Sequence, residues 1–343
     1  MQTIHADKWI EGIRPDDGTV DVAVLTLRNR LEAVQHFLPL AAYEADQDVE
    51  YVHQLRVWSR RAAAALKLYG EFLPRQRATW VKKQLKRIRR AANDVRNCDV
   101  QMMRLSQDAP DEAACRIEKL RAERTKAQKP LMAICEKLEN NDRFQRRGRK
   151  LLKHVRIRAK ATGSSPFARF ADWARTGFQP VVEQFFEAVP SDEADEKRLH
   201  VFRIRGKKLR YVMEVLAPAF PLEFREELYP IIEALQDKLG LINDLVVSIA
   251  RLGELPDASA ESDEGQSNLQ EKERARLDQA REGYRLWWTA ALQQNLRSRF
   301  DAILGMASIG SIRHTSADES PRRVSPSEAV SDSNNRSIGG PSS

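Results

Sequence analysis

Apolar residues recur at helical spacing along nearly the whole chain, and strand-like alternation is scarce. The pattern predicts helices over roughly 21–45, 49–72, 75–106, 111–140, 143–160, 167–188, 195–217, 221–253 and 268–306. Pro74 and Pro218 fall just after two of them, where a proline stops a helix from continuing. Residues 1–20 read as an N-terminal extension, and "LPDASAESDEGQSN" near 255–268 as a polar loop. From 307 to 343 the chain is too poor in apolar residues to pack, so a disordered C-terminal tail is expected there. The fold class is all-α.

An internal repeat refines the architecture. "VHQLRVWSRR", from Val52, is echoed by "LHVFRIRGKK", from Leu199. Aligning His53 with His200 sets Arg56 on Arg203 and Arg60–Arg61 on Lys207–Lys208. After a three-residue insertion, "LKRIRRAANDVRNCDVQMMRL" matches "LQDKLGLINDLVVSIARL", with Asn93–Asp94 on Asn243–Asp244. One repeat then covers about 21–160 and the other about 165–306. Short connections between helices favour antiparallel neighbours, so the expectation is two pseudo-symmetric antiparallel four-helix bundles.

Polar positions on the repeated helices are not evenly mixed. His53, Arg56, Arg60 and Lys67 share one face, opposite Leu55, Ala62, Ala65 and Leu66, with Arg61 set to one side. The second copy presents Arg203, Lys207 and Arg210 in the same way, beside His200 and Lys208. Each stripe is about 20 Å long at ~1.5 Å per residue. The helix after the first motif adds Lys82, Lys86, Arg89 and Arg90, so two antiparallel rails could line one groove. A basic stripe is most often a solvated face. Here, however, like charges at i,i+4 repel by a few tenths of a kcal/mol, and Glu71 is the one acid between His53 and Arg90. An anion that neutralises the stripe explains why the pattern is written twice.

Composition agrees. The net charge is +8 with pI about 9.4, and from Arg143 to Lys160 there are nine Lys/Arg and no acid. Polyanions are the natural partners. Guanidinium, ammonium and imidazole groups all suit phosphate, and a rail of them suits a polymer of closely spaced phosphates better than a mononucleotide. Neither G-x-x-x-x-G-K-[ST] nor G-x-G-x-x-G occurs. Cys98, Cys115 and Cys135 form no C-x-x-C pair, which argues against a disulfide framework or a zinc cage. No apolar run approaches a membrane span and the start lacks a secretory pattern, so a cytoplasmic protein is expected.

The four quoted segments, in order, resemble the signatures of the CHAD family, the conserved histidine α-helical domain, over about residues 21–306. The resemblance implies an all-helical domain with a basic central surface that binds inorganic polyphosphate, in proteins associated with polyphosphate granules. Its motif positions fall on His53, Arg56, Arg60, Arg61, His200, Arg203, Lys207, Lys208 and Arg210, with Lys82, Lys86, Arg89 and Arg90 on the next helix and Lys67 on the same stripe. The second half departs: Gln236 and Leu239 stand opposite Lys86 and Arg89, and Glu214 opposite Lys67. The alternating E-x-E-x-K strand of a triphosphate tunnel domain, fused in some relatives, is not found.

Other candidates carry less. His53 and His200 lack an i+4 histidine or an acidic ligand pair, so no metal site is assigned, nor a cofactor or nucleophile. His5, His36, His154 and His314 read as surface or boundary residues. Asp94, Asp99 and Asp244 are expected to pair with motif arginines and set their rotamers. Trp9, Trp58, Trp80, Trp173 and Trp287–Trp288 could stack on bases, but core packing is the plainer reading. The run "RFQRRGRKLLKHVRIRAK" is expected to close the first bundle, its basic face extending the anion surface. Nucleic acid is the alternative partner, and a polyphosphate-processing enzyme a further alternative.

Overall fold

The computed structural model describes residues 7–108, 114–161, 169–192, 195–253 and 260–305. Within them the chain forms α1 (Thr19–Tyr43), α2 (Glu50–Leu68), α3 (Arg75–Asp108), α4 (Ala114–Glu139) and α5 (Arg143–Ala161). There follow α6 (Phe170–Phe186), α7 (Glu196–Leu216), α8 (Tyr229–Gly253), α9 (Ala260–Trp287) and α10 (Ala290–Leu304). No strand occurs among the described residues; Gly18 and Arg169 form one isolated bridge. Nor is any of these helices long and apolar enough to cross a membrane. The tail from 307 and residues 255–259 of the expected loop lie outside the described residues.

In the first half, α1 packs against α2, α2 against α3 and α3 against α4, while α5 lies on α1, α3 and α4. The apolar stripe of α1 (Val20, Leu27, Val34, Leu38) is fully covered, as periodicity requires of a core-facing helix. In the second half, α6 packs on α7, α7 on α8 and α8 on α9. Here the core is aromatic: Phe178 meets Phe220, Phe224 and Phe300 with ring centroids 5.6, 5.3 and 5.7 Å apart. Asp195 caps α7 by accepting from the Lys197 and Arg198 N–H groups, both at 3.0 Å.

Two boundaries differ from expectation. The predicted 268–306 helix is broken between Trp287 and Ala290, because Thr289 turns extended and its Oγ1 accepts the Leu292 N–H at 3.3 Å, capping a new helix. Its neighbour Trp288 is sealed against Phe185 and Phe202, which fixes the bend. Helix α9 also starts at Ala260, inside the expected polar loop. Pro74 and Pro218 sit where they were expected, the first beyond the end of α2 and the second in a 3-10 turn (Ala217–Ala219) after α7.

The halves meet where α2 packs against α7. Glu214, 1% exposed, accepts from Arg61 Nε at 2.6 Å and Nη2 at 3.2 Å, and from the Tyr229 hydroxyl at 2.9 Å. Trp58, fully buried, lies beneath Arg61 and the buried Arg30, whose guanidinium carbons stand 4.7 and 5.1 Å from its ring centre. Residues 7–9 tie both halves: Arg30 donates to the Asp7 and Lys8 carbonyls, while Lys8 reaches Glu233 at 3.2 Å. Removing one partner of a buried pair leaves an uncompensated charge. Glu214→Ala should therefore cost about 3–5 kcal/mol in urea unfolding, and Glu214→Gln, which can still accept from Arg61, distinctly less. A loss below about 1 kcal/mol for Glu214→Ala would mark the pair as a solvent-screened contact.

Candidate anion-binding site

Each motif helix hands its first arginine to an asparagine of the next helix. Arg56 Nε donates to Asn93 Oδ1 at 2.9 Å, and Arg203 Nη1 donates to Asn243 Oδ1 at 3.2 Å. These are equivalent positions of the two repeats. A neutral acceptor fixes each guanidinium without cancelling its charge, so the remaining N–H groups stay available to an anion. Arg203 Nε is buried without a hydrogen-bond partner among the described residues.

Because α2 lies on α7, these arginines belong to one cluster of cations drawn from α2, α3 and α7. Arg60 is its electrostatic centre: its charge is felt by His53 and Arg56 on α2, Arg89 on α3, and Arg203 and Lys207 on α7. Burial, then Arg60 and Arg96, lowers Arg56 to about 10. Burial, then Arg203 and Arg60, pushes the Lys207 ammonium down to about 7. Burial also lowers His53, with Arg96, Arg56 and Arg60 adding to it against Glu50. Such depressions are what low dielectric and like charge do together. Tyr211, 6% exposed, sits within the field of Arg56, Arg89 and Arg203, and Arg210 lies over its ring at 5.2 Å.

A lysine cluster forms around Lys67. Lys82 is lowered by burial and by Lys67, and Lys208 by burial, Lys67 and Arg205. Gln184 Oε1 accepts from both Lys208 and Arg205, at 2.8 and 3.1 Å. Asp244 lies 4.0 Å from Arg203 and 3.9 Å from Arg104, joining α3 to α8.

Not every expected residue joins this group. Arg61 is committed to Glu214, and Arg210 lies 3.6 Å from Glu233. Arg210 is held above the usual guanidinium range, burial notwithstanding, by Tyr211, Tyr229 and Glu214. Lys86, Arg90 and His200 are exposed, as are Lys67 and Lys82. Of the aspartates expected beside motif arginines, Asp244 is there, but Asp99 pairs with Arg124 of α4 at 2.6 Å. No motif arginine is paired with Asp94 among the described residues; its neighbour Asn93 has that role. Arg96, Arg205 and Tyr211 lie close to these cations without having been singled out, although all three lie inside or just beyond the repeated segments. Trp58 is core, and Trp9, Trp80 and Trp173 are packed against other side chains. His36 lies against Phe37 and His154 Nδ1–H donates to the Lys150 carbonyl; His5 and His314 are outside the described residues. No cluster of three metal-ligating side chains occurs among the described residues.

In structure the chain is similar to the CHAD domain from the plant Ricinus communis, with a TM-score of 0.58 and 20% identity over 85% of this chain and 93% of that one. It is also similar to PptA from Streptomyces chartreusis, with a TM-score of 0.53 and 16% identity over 79% and 99%. At such identities the likeness is one of fold. No curated protein matches it in sequence. The CHAD domain model matches residues 26–253, a span that takes in both motif helices and the helices that follow them. Since that is more than half of the chain, this protein belongs to the CHAD family.

Proposed function

We propose that these cations line a trough that binds inorganic polyphosphate and holds it without breaking it, and that the protein is a cytoplasmic module recruited to, or organising, polyphosphate granules. The observation that carries this reading is the grouping of Arg56, Arg60, Arg89, Arg203 and Lys207, from three helices, around one centre with Asp244 as its nearby carboxylate. Burying so many like charges is costly unless a partner of opposite sign arrives. A linear chain of phosphates supplies one negative charge after another along the trough, and guanidinium forks match its oxygens. Nucleic acid offers phosphates as well, but also bases to be stacked. The aromatic groups at the trough, Trp58 and Tyr211, are 0% and 6% exposed and present no stacking platform.

The direct test is a comparison of long-chain polyphosphate, RNA and tripolyphosphate for the wild type and an Arg60→Ala/Arg89→Ala variant. Polyphosphate should bind most tightly at equal phosphate concentration, and the variant should lose at least about tenfold, since charge-assisted bonds contribute roughly 1.5–3 kcal/mol each. RNA that outcompetes polyphosphate, or a variant that binds normally, would overturn the proposal.

Lys207 sets a pH dependence. In the free protein its lowered pKa, about 7, favours the neutral amine, so stability from this group is lost as pH falls from the unfolded value of 10.5 through about 7. A bound polyanion favours the ammonium instead. Binding should then take up a proton above pH 7 and tighten as pH falls, with His53 adding to the trend below its ordinary 6.5. Calorimetry at pH 8 in buffers of different ionisation enthalpy should show that uptake in the wild type and little of it in Lys207→Arg. Proton release, or identical uptake in both, would contradict it.

A further inference from the structure

The basic surface does not stop at the trough. Going round α3 from Lys82 at about 100° per residue, Lys86, Lys83 and Arg87 follow in turn, and Trp80 comes last, where α5 packs. Lys83 and Arg87 are exposed. The Trp80 ring lies 4.7 Å from the Arg147 guanidinium carbon and 6.0 Å from that of Arg143, with Phe144 at 6.4 Å on the same side. This contact docks α5 beside α3 and holds two of its guanidinium groups at the seam. Beyond the seam, Arg146 and Lys150 stand exposed one turn apart on α5. Cations therefore follow one another without a break from the lysine end of the trough, over α3, to α5.

The helix segments that form this belt hold no acid of their own, from Arg75 to Asn93 on α3 or from Arg143 to Ala161 on α5. Elsewhere carboxylates stand beside several arginines: Arg121 bonds Glu118, Arg285 bonds Glu282, and the half-buried Arg299 bonds Glu223 and Glu227. Lys83, Arg87, Arg146 and Lys150 have no ion pair with any described residue. Lys83/Arg87 and Arg146/Lys150 are also i,i+4 pairs of like sign, a mildly destabilising choice that repeats the pattern of the motif helices. The opposite end of the trough is different, because there Asp244 and Arg104 join α3 to α8 and place a negative charge in the path.

We infer that α3 and α5 carry a second polyphosphate-binding segment, a belt that receives the polymer as it leaves the trough past Lys67 and Lys82 and leads it round the first repeat by way of Lys83, Arg87, Arg147, Arg146 and Lys150. The inference rests on the polyphosphate reading of the trough and extends it. The footprint on this protein is then longer than the trough, one-sided, and selective for chain length: short oligophosphates fill the trough, and long chains engage the belt as well.

The test uses the full chain carrying K83E/R87E/R146E/K150E, four exposed positions outside the trough. Affinities for tripolyphosphate and for long-chain polyphosphate are measured over a range of salt. Long-chain affinity should fall about tenfold or more with a shallower salt dependence, because fewer counterions are displaced, while tripolyphosphate binding stays within about twofold. Unchanged long-chain binding overturns the belt, as does an equal loss for both ligands, which would reflect only the overall field. Weakened RNA binding with polyphosphate untouched would also overturn it. Should the fourfold variant unfold, the wild type alone decides: its salt slope must be steeper for long chains than for tripolyphosphate, and equal slopes sink the inference. Failure of the trough itself shows separately, as normal binding of both ligands by Arg60→Ala/Arg89→Ala.

Discussion

Mutual repulsion among half-buried cations where α2 meets α7 is the constraint to which the rest of this structure answers. Arg60 is close enough to Arg56, Arg89, Arg203 and Lys207 to disfavour their protonation, and packing holds them there. Water would separate such charges if their side chains were free. Here their positions are fixed from below, by Asn93 and Asn243, by the Ser59 carbonyl that accepts from Arg89 at 3.3 Å, and by Tyr211. Neutral groups orient the cations and leave their charge intact.

A second set of interactions makes the arrangement affordable. The acids sit apart from the cluster, at the buried Glu214 and the half-buried Glu233, where they pair with Arg61, Arg210 and Lys8 and fasten the two halves and the N-terminal segment together. Structural cations have carboxylates; trough cations mostly have amides or nothing. That division assigns Arg61 and Arg210 to the frame, although they stand inside the same motif as Arg60 and Lys207. The departure of the second repeat at Glu214, where the first has Lys67, is thus the anchor of the interface between the halves.

Much of this was legible in the chain. Helical periodicity, the two prolines and the paired His/Arg motif located most helices; the alignment set Asn93 on Asn243, but the arginine partners were expected among the aspartates, and it is the two asparagines that accept from Arg56 and Arg203. What stayed hidden depends on partners distant in sequence. A helical wheel shows which residues share a face of their own helix, but Arg61 is claimed by an acid 153 positions away. Lys207 is lowered by burial and by cations that include Arg60 of the other repeat. Asp99 turned to Arg124 because α4 supplies a nearer guanidinium than any motif helix does. The break at Thr289 was a local signal, a threonine ahead of an apolar run, overridden in the reading by uninterrupted periodicity on both sides.

The most direct measurement of the central claim is the denaturant stability of Arg60→Gln, with and without long-chain polyphosphate. If Arg60 is held against like charges for the sake of a polyanion, the free variant should be more stable than the wild type and should gain less than it does from added polyphosphate. A variant that is less stable than the wild type when free, and equally stabilised by polyphosphate, would contradict the account.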